Sequence, residues 1–84
     1  MMNSEFTADT RGLKCPLPVL RTKKALATIP NGAELLILST DKNAPDDFKA
    51  FCNQTGHSFV SSCQLDELFE NQVVTKTIIR KKQI

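Results

Sequence analysis

The sequence predicts a two-layer α/β sandwich in the order βαβαββ, a four-stranded mixed sheet with two helices on one face. Three observations predict it. Two stretches carry apolar residues at helical spacing, and four others read as short strands. Helical crossovers of this length join parallel strands, and right-handed ones predominate. With 84 residues the chain has room for one domain, spanning 1–84, whose small core lies between a single pair of layers.

Phe6 and Ala8 alternate with Glu5, Thr7 and Asp9, which marks a first strand. Thr10-Arg11-Gly12-Leu13-Lys14 follows as a turn pivoting on Gly12. Proline is tolerated in a first helical turn, so Pro16 and Pro18 fit a helix start. Val19, Thr22, Leu26 and Ile29 recur at spacings of three or four, predicting a helix from about Pro16 to Ile29. Pro30-Asn31-Gly32 ends it. Leu35-Leu36-Ile37-Leu38 reads as a buried central strand within Ala33 to Ser39. After a loop at Thr40 to Asn43, Pro45 opens a second helix. Asp46 and Asp47 sit in its first turn, where the helix dipole favours them. Phe48, Phe51, Cys52 and Thr55 share one face of it, and Gly56 caps it. His57 to Cys63 and Val73 to Arg80 read as two more strands. Gln64 to Gln72 holds no Gly or Pro, and Leu65, Leu68 and Phe69 fit a helical turn or extended strand ends equally. In this topology both helices begin at one edge of the sheet. The loop at Cys15 and the loop at Asp41 to Asp46 are therefore expected to be neighbours, at the edge where open α/β sheets meet ligands.

Composition narrows the function. Forty per cent hydrophobic and 24% charged residues is a globular balance. A chain this short has no room for a deep enclosed cavity, so chemistry belongs on the surface or in a shallow groove. A net charge of +2 argues against nucleic acid as a direct partner. The basic run Arg80-Lys81-Lys82 reads as a frayed, solvated tail. No apolar run approaches the roughly 20 residues that span a bilayer. Met1 to Glu5 lacks the basic start of a signal peptide, so a cytoplasmic location is expected. Cys15, Cys52 and Cys63 show neither CxxC nor zinc spacing, and His57 is the sole histidine. Free thiols are expected, with no metal or cofactor.

Chemistry concentrates at Gly12-Leu13-Lys14-Cys15-Pro16-Leu17-Pro18. Cys15 stands at or just before the start of a helix, although cysteine is a poor N-cap beside Ser, Thr, Asp or Asn. First-turn N–H groups, the dipole, Lys14 and Arg11 all favour a thiolate there. Asp9, Asp41, Asp46 and Asp47 oppose it. A modestly depressed pKa is expected, with the Leu17 N–H as the main donor to sulfur, because Pro16 and Pro18 have none. A rigid, exposed thiolate suits exchange with another protein's cysteine, which requires a nucleophile, a leaving group and access. Cys52 reads as a buried structural thiol, and His57 as a packing or capping residue. The facing of Cys63 is open.

Asp9-x-x-Gly12-Leu13-x-Cys15-Pro16-x-Pro18 resembles the signature of the TusA/SirA family of bacterial sulfur carriers. The likeness continues through Asn31-Gly32-Ala33-Glu34-Leu35, Asp41, Asp47, Phe51-Cys52 and Gly56-His57 to Ile78-Ile79-Arg80-Lys81. It implies the same sandwich. It also implies a sulfur carrier rather than a stand-alone enzyme, with Cys15 accepting sulfane sulfur as a persulfide and Gly12, Pro16 and Pro18 as supporting motif residues. The implied partners are a cysteine desulfurase or another sulfur-donor protein, and a downstream sulfur-acceptor protein. The implied pathways are tRNA 2-thiouridine synthesis, sulfur oxidation or thiosulfate uptake. Two features depart from the family pattern: Lys42 follows Asp41 where proline is common, and Gln64 to Gln72 is longer than in the tRNA-thiolating member. The alternative from another class is an RNA-binding or regulatory module of similar fold. A thiol-redox protein would need an external resolving thiol.

Overall fold

A computed structural model describes residues 6–83; Met1 to Glu5, including the expected strand residue Glu5, lie outside the described residues. The elements are β1 (Phe6–Thr10), α1 (Leu17–Leu26), β2 (Glu34–Ser39), α2 (Ala44–Thr55), β3 (Ser58–Phe69) and β4 (Gln72–Arg80). The sheet order is β1-β2-β4-β3. β1 and β2 are parallel, and β4 runs antiparallel to both β2 and β3. The first three strands therefore share one direction, and both helices start at the same sheet edge.

Register fixes which side chains meet the helices. Ala8 lies beside Ile37, and Leu35 beside Ile79. These four residues are buried together with Leu26, Ile29, Phe48, Phe51 and Cys52. Alternation along β2 follows from the pleat: Leu35, Ile37 and Ser39 are buried, whereas Leu36 and Leu38 on the other face are half-buried. Leu36 and Ile78 pair across the strands on that uncovered face.

α1 is shorter than its apolar spacing suggests. It ends at Leu26, and Ala27 to Ile29 tighten into a turn in which the Thr28 N–H donates to the Ala25 carbonyl at 3.0 Å. Ile29 still reaches the core. The segment Gln64 to Gln72 resolves as strand. β3 and β4 form one long hairpin closed by Glu70 and Asn71, both at positive φ (50° and 67°). The register slips twice. Val60 is an extra residue, and Leu65 to Glu67 lie opposite Val74 alone. Such bulges bend a strand and raise its twist. The hairpin end arches across the sheet to the exit of β1, where the Arg11 guanidinium lies 5.1 Å from the centre of the Phe69 ring.

The run Arg80-Lys81-Lys82, expected to fray, is bonded in. Lys81 exchanges main-chain hydrogen bonds with Gly32 and Ala33, and its Nζ donates to the Ile29 carbonyl at 2.8 Å. The Lys82 N–H donates to His57 Nδ1 at 3.1 Å, and its Nζ donates to the Thr55 carbonyl. His57 also packs against Phe51. Among the described residues, no helix is long and apolar enough to cross a membrane.

Candidate functional site

Where β1 ends, the chain must reverse to reach α1. Gly12 makes this possible at φ 83°, a conformation costly for any residue with a Cβ. A Cβ here would also lie 3.2 Å from Phe69 Cε2, close enough that the ring would have to give by a few tenths of an ångström. The Gly12 N–H donates to Thr40 Oγ1 at 2.9 Å, and Leu13 closes the turn onto the Thr10 carbonyl. The Cys15–Pro16 peptide bond is cis. Pro16 occupies the N-cap and Pro18 is buried in the first turn, so Cys15 lies one residue before the cap. Cys15 is exposed.

The parallel arrangement brings the two predicted loops together. The Cys15 N–H donates to Asp41 Oδ2 at 2.8 Å, across 26 residues of sequence. The other oxygen of Asp41 accepts the Asn43 N–H at 3.1 Å, just ahead of α2. Asp46 and Asp47 occupy the first turn of α2, where the helix dipole favours them. The loops form one wall of an open groove of about 700 Å³, and Gln64, Gln72, Val73 and Thr75 of the hairpin form the other. These hairpin residues were not foreseen. Val73 and Thr75 fall in the expected last strand, whereas Gln64 and Gln72 bound the segment whose conformation the sequence leaves open.

The electrostatics differ from expectation. The thiol pKa of Cys15 is raised, not depressed. The largest cause is the Asp47 carboxylate as a hydrogen-bonding neighbour that favours the protonated thiol, followed by partial desolvation and the charges of Asp47 and Asp41. Two of the expected aids, the Leu17 N–H and Arg11, do not serve the sulfur. The Leu17 N–H donates to the Lys14 carbonyl at 2.8 Å. Arg11 is turned away into a pair with Asp9 at 2.8 Å, with Glu67 at 3.9 Å and Phe69 beside it. That pairing lowers the pKa of Asp9, chiefly through the Arg11 hydrogen bond.

The other thiols separate by environment. Cys52 is buried in the core, and burial pushes its pKa up. Cys63 is exposed on β3, opposite Lys76. Among the described residues, no group of three or more Cys, His, Asp or Glu gathers to hold a metal ion.

Residues 6–81 match the family model for sulfurtransferase TusA. The chain belongs to the TusA family. Its relatives include a candidate sulfur carrier protein of Neisseria meningitidis serogroup A, 56% identical over 81% of this chain and 90% of that one. The sulfur carrier protein TusA of Allochromatium vinosum is 44% identical over 74% of this chain and 82% of its own. Among solved structures, the SirA-like protein of Desulfitobacterium hafniense aligns with a TM-score of 0.66 at 26% identity. That alignment covers 92% of this chain and 97% of the other. The four-stranded mixed sheet with two helices is thus the TusA-family fold, reached above from alternation and spacing.

Proposed function

We propose that residues 1–84 act in the cytoplasm as a single sulfur-carrier domain, loading a sulfane sulfur on Cys15 as a persulfide and passing it to an acceptor protein. The observation that carries the reading is the presentation of Cys15. It is an exposed thiol on a loop whose Gly12 and Cys15 N–H groups donate to the Thr40 and Asp41 side chains of the neighbouring loop, at the rim of an open groove, in a TusA-family chain. The named carriers among its relatives support the same role.

The chemistry balances without a cofactor. The Cys15 thiolate attacks the terminal sulfur of a donor persulfide. A new S–S bond forms at Cys15, the donor's S–S bond breaks, and the electron pair leaves on the donor thiolate. Handing on repeats the exchange, with Cys15 now the leaving thiolate. The raised pKa acts on both halves. Fewer molecules are ionised for attack, and a more basic thiolate is a poorer leaving group. The free carrier therefore loads slowly and holds its sulfur. A cationic group on a docked partner, set against Asp47 and Asp41, would speed both steps. The donor is a cysteine desulfurase or another sulfur-donor protein, and the acceptor serves tRNA 2-thiouridine synthesis or another sulfur-trafficking route.

The test is intact-mass spectrometry after incubation with a cysteine desulfurase and L-cysteine. Loading adds one sulfur, about 32 Da, and dithiothreitol removes it, which distinguishes a persulfide from irreversible oxidation to sulfinic acid. Cys15→Ser is expected to abolish the gain with the fold retained, and Cys52→Ser and Cys63→Ser to keep it. Sulfur gained by the Cys15→Ser chain would sink the assignment.

A further inference from the structure

Asp41 occupies an unusual place for a charged residue beside a reactive sulfur. Its charge disfavours the thiolate, since it contributes to the upward shift of the Cys15 pKa. Yet both of its carboxylate oxygens are committed to main-chain N–H groups, Cys15 at 2.8 Å and Asn43 at 3.1 Å. Its own carbonyl accepts the Ala44 N–H at 2.9 Å, which ties it to the first residue of α2. Hydrogen bonds from N–H groups to an ionised carboxylate are short and strong, so this bridge is the firmest link between the two loops. Thr40, one residue earlier, makes the second link through Gly12. Nothing else among the described hydrogen bonds ties the main chain of Cys15 to another element.

We propose that Asp41 is a positioning residue for sulfur transfer, holding the Cys15 main chain against the start of α2 so that its sulfur meets a partner's S–S bond in line. This deepens the carrier reading and rests on it. Exchange between two folded proteins demands alignment of three sulfur atoms, whereas a small electrophile in solution reaches an exposed thiol from many directions. The two effects of Asp41 therefore oppose each other. Its bridge favours protein-to-protein transfer, and its charge slows reaction with any small reagent.

Asp41→Ala removes both acceptors. Asp41→Asn keeps one oxygen and removes the charge, and it serves as the milder variant if the alanine chain folds poorly. In Asp41→Ala the amides of Cys15 and Asn43 are expected to exchange with deuterium about tenfold faster, as loss of a bond to a charged acceptor implies. The Ile37 amide in β2 should be unchanged. Sulfur loading from a cysteine desulfurase with L-cysteine should slow about tenfold or more, the scale of a small misplacement in a reacting pair. Alkylation of Cys15 by iodoacetamide at pH 8 should instead speed up. A loss of folding would slow loading while raising exchange everywhere, so the opposed rates with a quiet Ile37 amide identify positioning. Loading at the wild-type rate in Asp41→Ala, or unchanged exchange at Cys15, overturns the proposal. A wild-type chain that never gains sulfur refutes the carrier reading and, with it, this role.

Discussion

Asp47 sets the ionisation of Cys15, and removing its charge is expected to make the thiol more reactive. In Asp47→Asn the pH profile of iodoacetamide alkylation should shift to lower pH, and the rate at pH 8 should rise severalfold, because the carboxylate is the main cause of the raised pKa. In the native wild-type chain Cys15 and Cys63 should label and Cys52 should not, as exposure dictates. Peptide mapping after timed quenching reads both results, and a slower Asp47→Asn reaction would count against the role given to this carboxylate. Much of the site at this scale was legible in the sequence. Cys15 was singled out by its proline neighbours and its place before a helix, and parallel topology brought Asp41 beside it. The sign of the pKa shift was not legible. It depends on where side chains turn: Arg11 is drawn off by Asp9 and Glu67, and the Asp47 carboxylate acts on the thiol. Sequence spacing places charges near one another without fixing which of them touch.

At the level of elements, the hairpin is the part that sequence pattern resolved least. Alternation located both strands, but their junction lacks the Asn-Gly or Asp-Gly pair that marks a tight turn. Glu70 nonetheless adopts φ 50°, where a side chain is disfavoured, and Asn71 follows at 67°, which asparagine tolerates. The strands flanking this turn are long enough to impose it. Supplying the missing turn chemistry should therefore stabilise the protein. Glu70→Asn combined with Asn71→Gly is expected to add about 1 kcal/mol, by relieving the positive-φ cost. At roughly 4–8 °C per kcal/mol for a domain of this size, a thermal melt would register the gain clearly. An unchanged or lower Tm would show that the contacts of Glu70 outweigh its backbone cost. The helices were easier to read, because their apolar faces are spaced at three and four. Only the end of α1 differs, where Ala27 to Ile29 wind more tightly yet still bring Ile29 to the core.

For the molecule as a whole, about 84 residues imply a total stability on the order of 4–13 kcal/mol, so small coupled terms are visible in unfolding curves. His57 supplies one. Its pKa is lowered below the ordinary 6.5, first by desolvation and then by the nearby charges of Lys82 and Lys81. Between the folded and unfolded pKa values the unfolded chain binds the extra proton, so the contribution is full above pH 6.5 and is lost as pH falls from there through the lower pKa of the folded state. Protonation of Nδ1 also removes the acceptor of the Lys82 N–H. The urea midpoint should therefore decline between pH 7.5 and 5.5, and His57→Gln should flatten that decline. An equal slope in both chains would assign the pH dependence elsewhere.

The order of the strands bears on how the chain is made as well as on its final form. β4 comes last in sequence among the described strands, yet it lies between β2 and β3 and hydrogen-bonds to both. While the ribosome is still adding residues 72–80, β3 has no partner and β2 is paired on one flank alone. Ile79, which closes the core against Leu35, is not yet present. The four-stranded sheet therefore cannot be completed until β4 has been synthesised. Until β4 is in place, Cys52 lacks part of the core that buries it. The chain acquires its distinction between a buried thiol and a presented one only at the moment it folds.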